Sequence, residues 1–584
     1  MKKRFLWLGL VLVMVAALVP ALVATSCSNS STTTAAATTT TATTPAANTP
    51  TPGGSLTVFT QWGMEDPSGF DSLTQRIWSG SVWINPFTEW LCRGDVEKYG
   101  PRGDNSFTFQ TWENVPEQYL KGELAQSWEI SASPLQITYH LRQGIMFAGN
   151  SKIGMAAREV VGADVAYSLL RTKGTPGPGS YLAMIDNVTA PDKYTAVVSL
   201  KAYDANWFFI FGGGMAMGAI QPQEMAKANT PNEDWHNAVG SGPFILTDYA
   251  SGVGATYTKN PNYWGTTTIN GKSYKEPFID TLYYTIIPDE SAQVAALRTA
   301  KVDWWPNVKQ QYSASLASTA PDMVQSKFLN GKIDLWRINR QNSKTLNQKT
   351  VRQALMMGLD LKAISTLLYN GGEIVNWPIG PQTPGYTKLA DLPAADQALY
   401  SYNVTQAKKM LSDAGYPNGF NMEIDTDAPH TDLANACVSY WAAIGVKATV
   451  KVLDATAAAS ARDNVTYPDM LYTNYTVVNP LVSEHLAAGD VLATNFKSSE
   501  PFEAMYKTAA STMDPTKRTQ LEQALGVAML DDAGMIPFAQ PYTYNCYWPW
   551  MKNYYGELDA GYYNQIPMIK TMWINQVQKK SLGH

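Results

Sequence analysis

Residues 279–303 restrict the fold more than any other stretch, because the side-chain period changes twice within them. Residues 279–287 have strand character. Residues 289–300 then place Ala292, Ala295, Ala296 and Leu297 on one helical face, and Lys301, Val302 and Asp303 lead into a second strand. A strand–helix–strand unit is the building block of α/β domains. Elsewhere, residues 55–60 and 137–141 alternate as strands do, and residues 188–190 and 195–200 flank the turn Pro191-Asp192-Lys193-Tyr194 as a hairpin. Helical spacing covers residues 162–170, with Asp164 in the first turn, and residues 350–368, broken after Tyr369 by Asn370-Gly371-Gly372. Residues 404–414 and 432–444 are helices ended by Gly415 and Gly445, residues 446–452 form a strand, and residues 517–532 a last long helix.

The N-terminal residues point to export. Met1-Lys2-Lys3-Arg4 is basic, residues 5–23 are apolar, and Ala24-Thr25-Ser26-Cys27 follows. Small residues before a cysteine, after an apolar run, fit a signal cleaved ahead of a lipidated Cys27, with ordinary signal-peptidase cleavage nearby as the alternative. The run is short for a membrane span. Residues 28–52 are almost entirely Ser, Thr, Ala, Asn and Pro. They cannot bury enough apolar surface to offset their ordering entropy, so a disordered tether is expected.

About 530 residues remain after the tether, enough for two or three domains. The formal charge is −5 with scattered Lys and Arg, which excludes the concentrated basic face that nucleic acid requires. Besides Cys27 there are Cys92, Cys437 and Cys546, whose pairing the sequence leaves open. No CxxC motif or Cys/His cluster is present, so no metal site or cofactor is expected. Motifs of the HExxH, GxSxG and P-loop kind are missing too, and the five histidines are not at ligand spacing. No catalytic residue is therefore expected. The 18 Trp and 31 Tyr are the unusual figures, and several of them in one cleft would suit a flat or amphipathic ligand.

Short segments spread along the chain resemble one family. They are Gly53-Gly54-Ser55-Leu56, Leu124-Ala125-Gln126-Ser127-Trp128-Glu129, residues 138–147, Gly240-Ser241-Gly242-Pro243-Phe244, Asn260-Pro261-Asn262-Tyr263-Trp264-Gly265 and Val351-Arg352-Gln353-Ala354-Leu355. Together they are similar to the extracellular solute-binding proteins of family 5, the receptors of peptide- and nickel-type ABC importers. The resemblance implies an α/β type II periplasmic-binding-protein fold, with two lobes joined by a hinge and an extra third domain. It implies lobe I from residues 55–95, 206–305 and 530–584, an accessory domain from 96–205, and lobe III from 306–529. It further implies a monomeric, non-enzymatic receptor, lipid-anchored to the outer face of the cytoplasmic membrane. Such a receptor closes on a small solute and hands it to a membrane permease.

The ligand is less constrained. Peptide-binding members hold the peptide amino group with an Asp, and the matching stretch here, residues 472–480, contains no acid. An ammonium in a dry cleft needs a counter-charge. Tyr472, Asn474 and Tyr475 instead offer neutral hydrogen-bonding groups, and Trp62, Trp377 and Trp548 are candidate aromatic platforms. An oligosaccharide therefore stands beside a peptide as the expected ligand. A secreted glycan-active enzyme and a surface adhesin are the readings from other classes.

Overall fold

The computed structural model describes residues 49–584 apart from 60–65, 74–80, 111–114, 177, 214, 231–232, 330, 382, 477–480 and 482–500. Residues 49–584 form one compact unit. In chain order the strands that build its larger sheets are β1 (Ser55–Val58), β2 (Ala125–Ala132), β3 (Leu135–Leu141), β4 (Ile185–Asp192), β5 (Thr195–Leu200), β6 (Phe244–Ala250), β7 (Gly254–Lys259) and β8 (Thr281–Thr285). They continue as β9 (Trp304–Lys309), β10 (Val324–Leu329), β11 (Lys332–Ile338), β12 (Asn421–Asp427), β13 (Lys447–Leu453), β14 (Met470–Thr476), β15 (Met535–Pro537) and β16 (Tyr542–Tyr547).

These strands form a seven-stranded sheet in the order β6-β7-β8-β1-β9-β16-β10, a five-stranded sheet β13-β12-β14-β11-β15 and a four-stranded sheet β2-β3-β5-β4. We call them the sheets of lobe I, lobe III and the accessory region. β1 lies between β8 and β9, parallel to both, and its inward Leu56 and Val58 are fully buried. Such inner parallel strands have both faces covered. Lobe I packs Trp90, Trp304 and Leu282 in its core, and lobe III packs Trp336, Trp441 and Leu355.

The sheets cut the chain at other places than 305/306 and 529/530. β9 and β10 remain in lobe I, so lobe III starts at β11, and β15 still belongs to lobe III, so the return to lobe I comes only at β16. Sequence reasoning saw the strand that Lys301 leads into but named none of β10, β11 and β15, and it had no signal for which sheet each would join. The helix expected over residues 350–368 is two, Lys349–Met357 and Leu361–Leu368. Asp360 separates them because its carboxylate caps the Ala363 amide, starting the second helix afresh. Among the described residues no helix is long and apolar enough to cross a membrane, and no acidic, His or Cys cluster could hold a metal ion. Cys92, Cys437 and Cys546 are buried free thiols.

Candidate ligand cleft at the hinge

Among the described residues the chain passes between the two sheets at two places, after Leu329 at the end of β10 and before Lys332 at the start of β11, and from Pro537 at the end of β15 to Tyr542 at the start of β16. Strand directions show which edges these crossings join. In lobe III, β12, β13 and β14 are parallel, and β11 is antiparallel to β14 with Lys332 opposite Thr476. In lobe I, β16 is antiparallel to β9 and β10, with Leu329 opposite Tyr542. Both crossings thus join the carboxyl edges of the two sheets. In open α/β sheets the crevice outside the carboxyl ends of the strands is where ligands bind.

A chain of polar side chains occupies that edge of lobe III. Asp334 sits in β11 directly opposite Asn474 of β14. One carboxylate oxygen of Asp334 accepts the Tyr472 hydroxyl at 2.7 Å, and the other accepts the hydroxyl of Tyr369, just beyond the helix Leu361–Leu368, at 2.8 Å. The Tyr472 hydroxyl also lies 2.8 Å from His430 Nε2, and the two rings stack at 3.8 Å. The other His430 ring nitrogen meets Asp427, the last residue of β12, at 2.5 Å. The backbone carbonyl of Asp334 accepts from Phe538, which ties the cluster to the hinge crossing.

Burial, followed by the adjacent Asp334 charge, pushes the Tyr369 and Tyr472 hydroxyls far above the usual tyrosine range. Both therefore stay protonated and donate. Hydroxyl donors hold Asp334 in place but do not neutralise it, and each carboxylate oxygen keeps acceptor capacity. Tyr472 is 9% exposed, whereas Asp427 and His430 are about one-third exposed and Asn474 is open to solvent. The cluster can thus present fixed negative charge, a rigid phenol and an amide to a solute in the crevice.

The candidates from sequence fall into separate groups. Tyr472 and Asn474 come together at this edge, the Asn474 amide reaching to 3.5 Å from the Tyr472 hydroxyl. Tyr475 lies in β14 opposite Ile333. Trp62 and Cys27 lie outside the described residues. Trp377 is 1% exposed and packs with Ile333, Leu335, Leu525 and Met529. Trp548 is 3% exposed, stacks on Trp550 at 4.7 Å and donates its indole N–H to the Leu297 carbonyl. Both rings are buried in lobe cores instead of standing open, Trp377 among apolar side chains and Trp548 against Trp550 and His584.

Asp334 and Tyr369 were not among the residues the sequence pointed to. The available signal for Asp334 was an acid inside the otherwise strand-like run Lys332-Ile333-Asp334-Leu335-Trp336.

Known proteins place this architecture. Residues 120–487 match the family described as bacterial extracellular solute-binding proteins, family 5 Middle. The heme-binding protein A of Haemophilus influenzae is 30% identical over 361 residues, 56% of this chain and 61% of that protein, so less than two thirds of its length is spanned. A dipeptide-binding protein of Escherichia coli is 27% identical over 71% of this chain and 80% of its own. Among solved structures, the periplasmic binding protein DppA of Helicobacter pylori, in complex with peptide STSA, superposes with a TM-score of 0.69 at 21% identity, over 90% of this chain and 99% of that one. These relatives are binding proteins, not enzymes, and share the type II periplasmic-binding-protein fold. By its sequence match over most of its length and by its fold, the chain belongs to the bacterial extracellular solute-binding proteins of family 5.

Proposed function

We propose that this chain is the receptor of an ABC importer and captures a peptide between lobes I and III, closing about the hinge and delivering it to a membrane permease. The observation that carries the peptide reading is Asp334. The stretch 472–480 lacks an acid, but strand pairing sets Asp334 opposite Asn474, so the neighbouring strand supplies the counter-charge. A peptide ammonium against this carboxylate would be charge-paired, and Asn474 and the tyrosine hydroxyls would accept or donate to the first peptide unit. The names of similar proteins support this class: they include dipeptide- and oligopeptide-binding proteins. In this reading the chain acts as a monomer, and a lipid on Cys27 holds it outside the cytoplasmic membrane.

A neutral oligosaccharide is the second reading, favoured by the hydroxyls and the exposed Asn474 amide around Tyr472. A thermal-shift screen against di- to pentapeptides and α- and β-linked oligosaccharides separates the two. A ligand at a hundred times its dissociation constant adds about 2.7 kcal/mol to stability, a readily measured shift. A shift with peptides that disappears in Asp334→Asn supports the peptide reading. A shift with sugars alone overturns it.

A further inference from the structure

Away from the hinge, a second set of contacts joins lobe III to the opposite side of the crevice. Arg518 lies in the first turn of the helix Pro515–Asp532, which leads into β15. Its guanidinium meets Glu117, in the short turn Glu117–Tyr119, at 2.8 Å. The two side chains are 9% and 23% exposed, so water screens the pair less than a surface pair.

Two further hydrogen bonds span the same gap. The Ala205 amide donates to the Ala510 carbonyl at 2.8 Å, and the Asn206 side-chain amide donates to the Leu481 carbonyl at 3.0 Å. Ala205 also packs against the small apolar cluster of Leu481, Ala509 and Ala510. A narrow cavity of about 50 Å³ runs between the two sides, lined by Glu117, Phe208 and Phe209 on one and by Leu481, Arg518 and Glu522 on the other. Segments 115–118 and 205–209 take no part in the hinge crossings, so hinge rotation would separate every one of these pairs.

We propose that Arg518 and Glu117 form a latch that holds the lobes closed and sets how long a bound solute is retained. The inference rests on the hinge-closure reading above. Backbone groups and apolar contacts supply shape at this surface, while the ion pair supplies an attraction that acts before contact is complete. Arg518 is a positioning residue: it biases the closed arrangement of the lobes without touching the hinge cluster.

The Ala205 amide provides a direct readout, because its hydrogen bond exists only while the lobes are together. Hydrogen–deuterium exchange of the intact, ligand-free chain tests the latch in Arg518→Ala, Glu117→Gln, the double variant and Arg518→Lys. Expected is a roughly tenfold loss of protection at Ala205 in each of the first two, with protection along β11 unchanged. The double variant should lose no more than either single, and Arg518→Lys should retain part of the protection.

Unchanged protection at Ala205, additive losses in the double variant, or an equal loss across β11 would overturn the latch, the last by marking Arg518 as a residue of the fold. A wild-type Ala205 amide that exchanges no faster than β11 would instead show that the lobes do not part. That outcome would sink the closure reading itself and the latch with it.

Discussion

Lobe I and lobe III each contain a cluster of acids and tyrosines, and the two clusters differ in what balances the acids. In lobe I, Glu89 accepts from the Tyr263 hydroxyl at 3.0 Å and the Trp264 indole at 2.9 Å, with Glu123 nearby. Lys570 sits 3.3 Å from Glu276 and donates to the Tyr263 hydroxyl, and Arg93 lies 3.8 Å from Glu123. All these acids and both cations are buried. In lobe III, Asp334 and Asp427 meet hydroxyls and a histidine, at an edge open to the crevice. Cations matched to acids in a sealed interior hold a fold together, whereas an acid dressed only by hydroxyls beside a crevice keeps charge for a solute.

Removing the lysine from lobe I should have the largest effect. Lys570→Met leaves Glu276 buried without its cation, and such a loss costs about 3–5 kcal/mol. The denaturant midpoint should fall accordingly, while affinity per folded molecule stays as in the wild type. A variant of ordinary stability would mean that the lobe I cluster is not a structural ion network. In lobe III the opposite split is expected. Asp334→Asn should weaken peptide binding by about 2–4 kcal/mol, measured by calorimetry, with the melting temperature nearly unchanged. A large drop in melting temperature with unaltered affinity would place Asp334 in the same class as Glu276 and erase the distinction.

The same contrast explains what could be read along the chain. The motifs that resemble the family lie on the structural side. Asn260 and Gly242 of two such motifs bond to each other, Tyr263 and Trp264 hold Glu89, and a Cβ at Gly240 would stand 1.9 Å from the Phe87 carbonyl. Arg352 of a third is fully buried and bonds the Asp532 carboxylate and carbonyl. Residues so tightly constrained by their surroundings leave local, recognisable strings. The strand–helix–strand unit was legible for a related reason: Asp289 caps the helix Glu290–Arg298 within its own neighbourhood.

The hinge cluster has no such string. Asp334 and Tyr472 are 138 positions apart, and only the β11–β14 register brings them together. Sheet membership of β9, β10 and β15 was equally non-local. The burial of Trp548 against Trp550 was equally illegible, because an aromatic platform and an aromatic stacked in a core have the same local sequence.

Glu89 offers a finer test of the sealed network. Burial, and secondarily the charge of Glu123, pushes its carboxyl up to about 8, so at neutral pH it is largely protonated. A raised pKa contributes stability that is complete at low pH and is lost as pH rises through the folded-state value. Glu89→Gln should therefore match the wild type in melting temperature at pH 6 and exceed it above pH 8. Equal pH profiles for the two proteins would mean that Glu89 is ionised throughout and belongs with the charged acids of the crevice.

The smallest effect is expected at the latch, where the two kinds of environment meet. Glu522 lines the gap between the lobes and is 5% exposed. Burial pushes its carboxyl up to about 7, against the pull of Arg518, which lies 3.9 Å away. Among the described residues, Glu117, Tyr203 and Asp204 are titratable groups on the facing side, and burial also raises the latter two. Opening the lobes hydrates Glu522 and returns it toward the ordinary glutamate value of 4.5. The closed form then binds this proton more tightly than the open form. Closure should be fully favoured below about pH 4.5 and progressively less so as pH rises through 7. Ala205 exchange, corrected for its intrinsic pH dependence, should accordingly show more opening at pH 8 than at pH 6, and Glu522→Gln should abolish the difference. A pH effect that survives in Glu522→Gln would assign the proton to Asp204 instead, and would leave Glu522 on the structural side of the comparison.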